Sequence, residues 1–368
     1  FDRGIGALAD WLTASLPDNA LRSLLVDGVT AGVGSVVVFL PQILILFAFI
    51  LALEASGYMA RGAFLMDRIM ASVGLNGRAF IPLLSSFACA IPGIMATRTI
   101  DNPRDRLTTI MIAPLMTCSA RIPVYTLLIA AFIPNQAVGG VFNLQGVVLF
   151  ALYLAGIASA LIVAGVLKRT VTKGASQSLL MELPKYQLPN LRDLVLGLYE
   201  RVKIFMARAG KFILTTMIVL WVLASYPAAP ADAALPDIYY SYAGQIGRVL
   251  EILFAPIGFT WEIAISLVPG MAAREVFVGA LGTVYALSGS EDQIATSLVS
   301  RLQNAWSLPT ALAVMAWYVY APQCLATLAV AKRETNSWGW MFFMAGYLTA
   351  IAYLAAGITY WTASAIIG

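Results

Sequence analysis

Ser86-Phe-Ala-Cys-Ala-Ile-Pro-Gly-Ile-Met-Ala-Thr97 sets a cysteine and a Pro-Gly pair inside an apolar run. Pro92 has no N–H to donate, so a helix drawn through this stretch leaves backbone carbonyls without their usual partners. At membrane depth such irregularity survives only beside protein or a water-filled cavity. The arrangement recurs in Ala113-Pro-Leu-Met-Thr-Cys-Ser-Ala-Arg121 and in Tyr320-Ala-Pro-Gln-Cys-Leu-Ala-Thr327. Each stretch joins a soft ligand to a proline. Together they predict a path for a soft or borderline metal ion.

Composition places these stretches in a membrane. Apolar residues make up 60% of the 368-residue chain and charged residues 11%, with a mean hydropathy of +0.82. Apolar runs recur at the length of about 20 residues that a helix needs to cross the hydrocarbon. The predicted fold is therefore all-α, a polytopic membrane helix bundle with broken or re-entrant helices. The net charge of +4 is small and forms no nucleic-acid surface. Three cysteines, all within apolar runs, argue for free thiols rather than a secreted disulfide framework. Residues 1–22 read as an amphipathic, interfacial helix without the basic start and apolar middle of a cleavable signal. A chain that begins with Phe1 is expected to be a piece of something longer.

Charge and punctuation divide the rest. Spans are predicted over Val29–Leu53, Ala79–Thr97, Leu107–Ile133, Gly146–Leu167, Leu308–Ala331 and Trp338–Ile367. Gly57–Leu75 is more polar and is read as packed or interfacial. The stretch from Lys168 to Lys211 holds nine Lys or Arg against three Asp or Glu. The positive-inside rule therefore assigns it to the cytoplasm as a basic linker with helices. Parity then requires Trp261–Leu287 to leave and return on one side, with a break expected at Pro269-Gly270. The chain is also doubled. Gly57-Tyr-Met-Ala-Arg-Gly-Ala-Phe64 matches Gly270-Met-Ala-Ala-Arg-Glu-Val-Phe277, and Pro92-Gly-Ile-Met-Ala-Thr97 matches Pro322-Gln-Cys-Leu-Ala-Thr327. The expected organisation is residues 1–22, a first repeat over 23–167, the linker over 168–210 and a second repeat over 211–368.

The candidate ligands follow from chemistry. A chain without histidine must hold a transition metal through sulfur, carboxylate, hydroxyl or carbonyl groups. Cys89, Cys118 and Cys324 supply thiols, and Met95 and Met116 supply thioethers close by. Glu54 ends the first span, while Glu262 and Glu275 fall in the Trp261 run. A charge near the bilayer centre costs roughly 2.5–3.5 kcal/mol even on the lenient scale, so it marks a pathway or a pair. Glu275 is the deeper of these carboxylates, whereas Glu54 also reads as an interfacial cap. Arg61 and Arg98 are expected to snorkel to the interface. Arg121, three residues after Cys118, is expected to favour the thiolate or to pair with Glu275. A nucleotide-binding loop and a nucleophile elbow are both missing, so this chain alone is expected to hydrolyse nothing.

The sequence resembles the membrane portion of the ferrous iron transport protein B (FeoB) family over nearly its whole length. The resemblance rests on Val38-Phe-Leu-Pro-Gln-Ile43, Ser56-Gly-Tyr-Met-Ala-Arg61, Pro82 through Arg98 and Ala113 through Arg121. Met181-Glu-Leu-Pro184, Ala273-Arg-Glu275 and Cys324-Leu-Ala-Thr-Leu-Ala-Val330 add to it. It implies two Gate repeats and uptake of Fe2+ as the transported substrate across the bacterial cell inner membrane. It also implies a cytosolic GTP-binding domain outside this chain, to which GTP and Mg2+ would belong. Small FeoA-like and FeoC-like partner proteins and a homo-oligomer are further implications. Gln323 before Cys324 departs from the tighter Pro-Cys pairing of many relatives. Rival readings are a Gate-family membrane scaffold and a nucleoside-like solute carrier.

Overall fold

The computed structural model describes residues 2–17, 19–138, 142–173, 186–227, 237–272, 274, 276–285, 291–322 and 324–367. The amphipathic N-terminal stretch forms α1 (Asp2–Ser15) and the short α2 (Ala20–Ser23), whose Asn19 side chain caps the Arg22 N–H. The first apolar run is α3 (Ala31–Ala55), with Pro41 inside it. Gly57, at φ 78°, turns the chain into α4 (Tyr58–Ser72). α5 (Phe80–Ala88) and α6 (Ala90–Ala96) meet at an extended Cys89. Asn102 caps α7 (Pro103–Ile112), and Pro103 sits in the first turn, where a missing N–H leaves no bond unmade. A 3-10 turn and an extended segment ending at Cys118 lead into α8 (Ile122–Phe132).

A two-residue antiparallel pair, Ala137–Val138 with Phe142–Asn143, precedes α9 (Leu144–Thr170). The basic linker contributes α10 (Leu191–Phe205), which continues through a π-helical turn into α11 (Lys211–Ser225). The remaining helices are α12 (Asp237–Tyr240), α13 (Tyr242–Phe254), α14 (Trp261–Ala272), α15 (Val276–Val284) and α16 (Glu291–Ala305). They are followed by α17 (Leu308–Tyr320), α18 (Leu325–Thr335) and α19 (Trp338–Ile367).

Among the described residues four helical stretches are long and apolar enough to cross a bilayer: Pro103–Phe132, Leu144–Thr170, Leu308–Thr335 and Trp338–Ile367. Two of these stretches contain a cysteine at an interior break. The chain is a multi-pass membrane helix bundle, as its composition predicts.

The chain divides into two compact units, one of residues 1–61 with 182–245 and one of residues 62–181 with 246–368. This grouping cuts across the division at 168–210 drawn from the sequence. In the first unit α3 packs on α10, where Gly197 faces the Leu51 side chain, and Trp221 donates to Ser23 Oγ at 3.0 Å. The Arg61 guanidinium lies 3.6 Å over the exposed Tyr186 ring, a cation–π contact.

The second unit has two apolar cores. One joins α8, α14, α15 and α17 around Tyr125, Phe277, Trp317 and Tyr318. The other joins α5, α6, α7, α9 and α18 around Ile94, Met111, Leu115 and Ala164. Lining α9 and α19 are buried alanines (Ala160, Ala164, Ala352, Ala356) that let their neighbours approach closely, as in other membrane bundles.

One expected break lies elsewhere. Residues 261–287 are interrupted, but α14 runs through Pro269 and Gly270 and ends at Ala272, and α15 begins at Val276. A helical proline forfeits one hydrogen bond and kinks the helix, yet the turns beyond it can continue. The chain leaves the helix at Arg274 instead, whose guanidinium is drawn to carbonyls outside it. A sharper bend, 108°, separates Tyr242–Ile257 from Trp261–Met271. It turns at Gly258, where φ is 78° and a Cβ would strike the Tyr360 ring.

Gly93 packs α6 onto α5 so closely that a Cβ there would collide with Ser86 Oγ and the Pro82 carbonyl. Gly93→Ala is expected to cost about 1–3 kcal/mol, the usual effect of overpacking a filled site. Thermal melting in detergent reads it, and an unshifted midpoint would show that α5 and α6 separate at no cost.

A candidate metal path at the helix breaks

Each cysteine occupies the residue just before a helical segment. Cys89 (φ −156°, ψ 133°) precedes α6, Cys118 (φ −81°, ψ 162°) precedes the turn into α8, and Cys324 (φ −99°, ψ 160°) precedes α18. All three are extended, and all three are free thiols. Cys118 is buried, whereas Cys89 and Cys324 are partly so. The extended residues follow from the neighbouring prolines, which cannot supply the N–H that would carry the preceding helix onward.

The structure brings Cys118 within electrostatic range of Cys324, Arg121 and Arg274. Cys89 joins this region through the backbone. The Ala88 carbonyl, four residues before Pro92, accepts a hydrogen bond from Ser119 Oγ at 3.1 Å. The break at Cys89 is thus tied directly to the loop that carries Cys118. Cys324 Sγ lies 3.2 Å from Thr327 Oγ1, one turn into its own helix.

The carbonyls released by the other breaks are also occupied. Arg121, fully buried, donates from Nη1 to Val319 O at 2.7 Å. Its Nη2 donates to Pro114 O at 3.1 Å and to Ala321 O at 3.3 Å. Arg274, also buried, donates from Nη2 to Ala321 O at 2.9 Å and to Pro322 O. Two guanidiniums therefore take up the acceptors at the end of α17, ahead of Cys324. Carbonyls freed from helical bonding are thus met by side chains of the protein. A guanidinium presents five donors in a rigid fork, which suits it to span several carbonyls at once.

Near them are buried hydroxyls that sequence reasoning missed. Thr117 and Tyr125 lie beside each other, Tyr318 lies beside Arg274, and Arg121 Nε is buried with them. The Tyr318 ring lies 4.8 Å beneath Arg274. An arginine within an apolar run was the available signal, because a cation there must be met by built partners.

The other predicted ligands are less concentrated. Met116 is buried in the core with Ile94, Met111 and Leu115, where its thioether packs as a hydrophobe. Met95 is partly buried on α6. Glu54 is exposed at the end of α3, in the first compact unit, whereas the cysteines belong to the second. Glu275 lies outside the described residues, as does Gln323. Among the described residues no three Cys, Asp or Glu side chains gather as a ready metal cage.

A second polar cluster joins the far ends of α6 and α18. Arg98 grips Glu334 through two bonds, Nε to Oε2 at 2.8 Å and Nη2 to Oε1 at 2.7 Å. Arg106 adds a third at 3.0 Å. Those bonds and the carboxylate charge push the Arg98 pKa up from its ordinary value. α6 and α18 thus run side by side in the same direction, each from a cysteine to this clasp.

The sequence pattern of the Gate family, described as nucleoside recognition, matches residues 36–132 and 206–338. That of the ferrous iron transport protein B C terminus matches 149–201. A curated Fe(2+) transporter FeoB of Leptospira interrogans is 43% identical over 360 residues, covering 94% of this chain and 51% of the relative. The FeoB of Leptospira biflexa is 42% identical, over 98% of the chain and 53% of the relative. That of Staphylococcus aureus is 41% identical, over 92% of the chain and 49% of the relative. The chain spans about half the length of these relatives. No solved structure matches it. With the Gate pattern covering well over half of its residues, the chain belongs to the Gate family, and within it resembles the FeoB transporters along nearly its whole length.

Proposed function

We propose that this chain is the permease part of a bacterial inner-membrane ferrous iron uptake transporter. Fe2+ is the substrate, and the breaks at Cys118 and Cys324, with Cys89 beside them, form its path. The observation that carries the reading is the placement of two thiols at interior helix breaks, within electrostatic range of each other. Sulfur suits a borderline ion such as Fe2+ better than Mg2+, which prefers six oxygens and sheds water reluctantly. The relatives, Fe(2+) transporters by name, support the same reading. Raw affinity still rises from Fe2+ to Cu2+, so transport needs weak, reversible ligation rather than a tight cage.

GTP hydrolysis, with its Mg2+, belongs in this reading to a cytosolic domain outside the chain. FeoA-like and FeoC-like proteins are its proposed partners. One relative, from Porphyromonas gingivalis, is named as a fusion of Fe(2+) transport protein A with FeoB. The test is uptake of Fe2+ by proteoliposomes under reducing conditions, with and without the cytosolic domain. Uptake above that of empty vesicles is expected, with Zn2+ and Co2+ competing. Vesicles that remain impermeable in both forms would overturn the reading.

A second reading, a nucleoside-like carrier, draws on the buried hydroxyls of Thr117, Tyr125 and Tyr318. Buried polar groups of that kind suit a hydroxyl-rich organic ligand. Uridine or adenosine that entered the same vesicles, or blocked iron entry, would favour it.

A further inference from the structure

We propose that Arg121 and Arg274 are specificity-determining residues: two fixed buried cations that turn away any ion unable to bond to sulfur. The proposal rests on the Fe2+ reading above and names how hard cations are refused. Both Nη2 atoms lie within 3.3 Å of one oxygen, that of Ala321, so the two guanidiniums are close neighbours. Both also act electrostatically on Cys118. Arg121 is fully buried and Arg274 is 4% exposed, so solvent screens neither charge appreciably.

Two consequences follow from this geometry. Selectivity for hard ions such as K+ is commonly built from rings of backbone carbonyls that replace the hydration shell. Here the carbonyls of Pro114, Val319, Ala321 and Pro322 already face guanidinium donors, so these four oxygens are engaged where the helices break. A cation entering this region also meets like charge. Na+, Mg2+ and Ca2+ gain little from a thiol, and so have little to offset that repulsion. Fe2+, Co2+ and Zn2+ gain a bond to sulfur at Cys118 or Cys324, and that gain opposes the repulsion. The arginines thus hold the backbone of the breaks in place and select against hard ions by the same contacts. Selection of this kind works by a repulsive element as much as by an attractive one.

The test separates charge from shape. Arg121→Lys keeps the charge but loses the fork, whereas Arg121→Gln loses the charge and keeps one donor group. Uptake of Fe2+ and of Mg2+ is measured in proteoliposomes for the wild type and both variants. Arg121→Gln is expected to raise the Mg2+-to-Fe2+ flux ratio by about tenfold or more. Arg121→Lys is expected to leave that ratio near the wild-type value even where both fluxes fall. A purely structural role predicts losses in both variants with the ratio unchanged, and that result would overturn the proposal. A ratio raised equally in both would overturn it as well, because geometry rather than charge would then be selecting.

The wild type alone supplies a further measurement that needs no variant to fold. Mg2+ in thousandfold excess is expected to leave Fe2+ uptake unchanged, and strong inhibition would refute the charge barrier. A wild type that moves no ferrous iron would overturn the iron reading and this proposal with it. A wild type that moves iron while Arg121→Gln keeps full selectivity would overturn this proposal alone.

Discussion

Fe2+ uptake is expected to fall by about 10–100-fold when Cys118 and Cys324 are both replaced by serine. Serine preserves size and a hydrogen-bonding group but exchanges a soft sulfur for a hard oxygen. The two cysteines are singled out because both stand at interior helix breaks and Cys118 lies within electrostatic range of Cys324. Either single variant is expected to lose less, since the remaining thiol still offers one sulfur. Cys89, partly buried at the neighbouring break, is expected to add to the loss in a triple variant. Thermal melting of the same preparations separates lost ligation from misfolding. Full uptake by the triple Cys→Ser protein would show that sulfur is dispensable and would leave hydroxyls and carboxylates as the path.

The second large effect concerns stability. Lys168 on α9 pairs with Asp105 on α7, and the Asp105 side chain is wholly buried while that of Lys168 is 6% exposed. The lysine stem lies against Gly74, whose φ of +79° lets the loop after α4 pass close by. Thr108 and Thr172 join hydroxyls 2.8 Å apart in the same interface. One Asp105 oxygen has no partner among the described residues, so its attraction to Lys168 offsets the cost of burial only in part. Removing the lysine then leaves a buried carboxylate uncompensated. Lys168→Met is expected to destabilise the protein by about 3–5 kcal/mol, as breaking one side of a buried pair commonly does. The double variant Asp105→Leu with Lys168→Met is expected to recover most of that loss, because no charge remains in the interface. Melting temperatures in detergent decide it. A double variant no more stable than Lys168→Met would show that the pair contributes through geometry rather than charge compensation.

The clasp on Glu334 bears on the parallel course of α6 and α18. Arg98, expected to snorkel outward, is 58% exposed along its side chain yet still reaches inward to a carboxylate that is only 2% exposed. Snorkelling and pairing coexist because the alkyl stem is long enough to serve both.

The sequence motifs and the structural breaks do not share one register. Pro92 and Pro322 align in the matched motifs, but the first helix resumes before its proline, at Ala90, and the second only after Cys324. Equivalent prolines therefore do not place the cysteines equivalently. A proline forbids particular hydrogen bonds, but where the chain re-enters a helix depends on what receives the orphaned groups. At the first break Ser119 supplies that partner, and at the second Arg121 and Arg274 do.

What the chain determined by itself was the helical, membrane-embedded class and the presence of breaks at its cysteines. Apolar run length and proline placement are local properties, and lipid leaves helices as the natural way to satisfy the backbone. The ends of α3, α9 and α19 lie close to their apolar runs for this reason. Only the tertiary structure decided that α14 continues past Pro269 and that Arg121 and Arg274 converge on the Ala321 carbonyl. It also decided that Met116 is core while Cys118, two residues on, faces charge. The convergence on Ala321 joins residues 200 and 47 positions apart along the chain, and no local pattern encodes which carbonyl a distant guanidinium will reach.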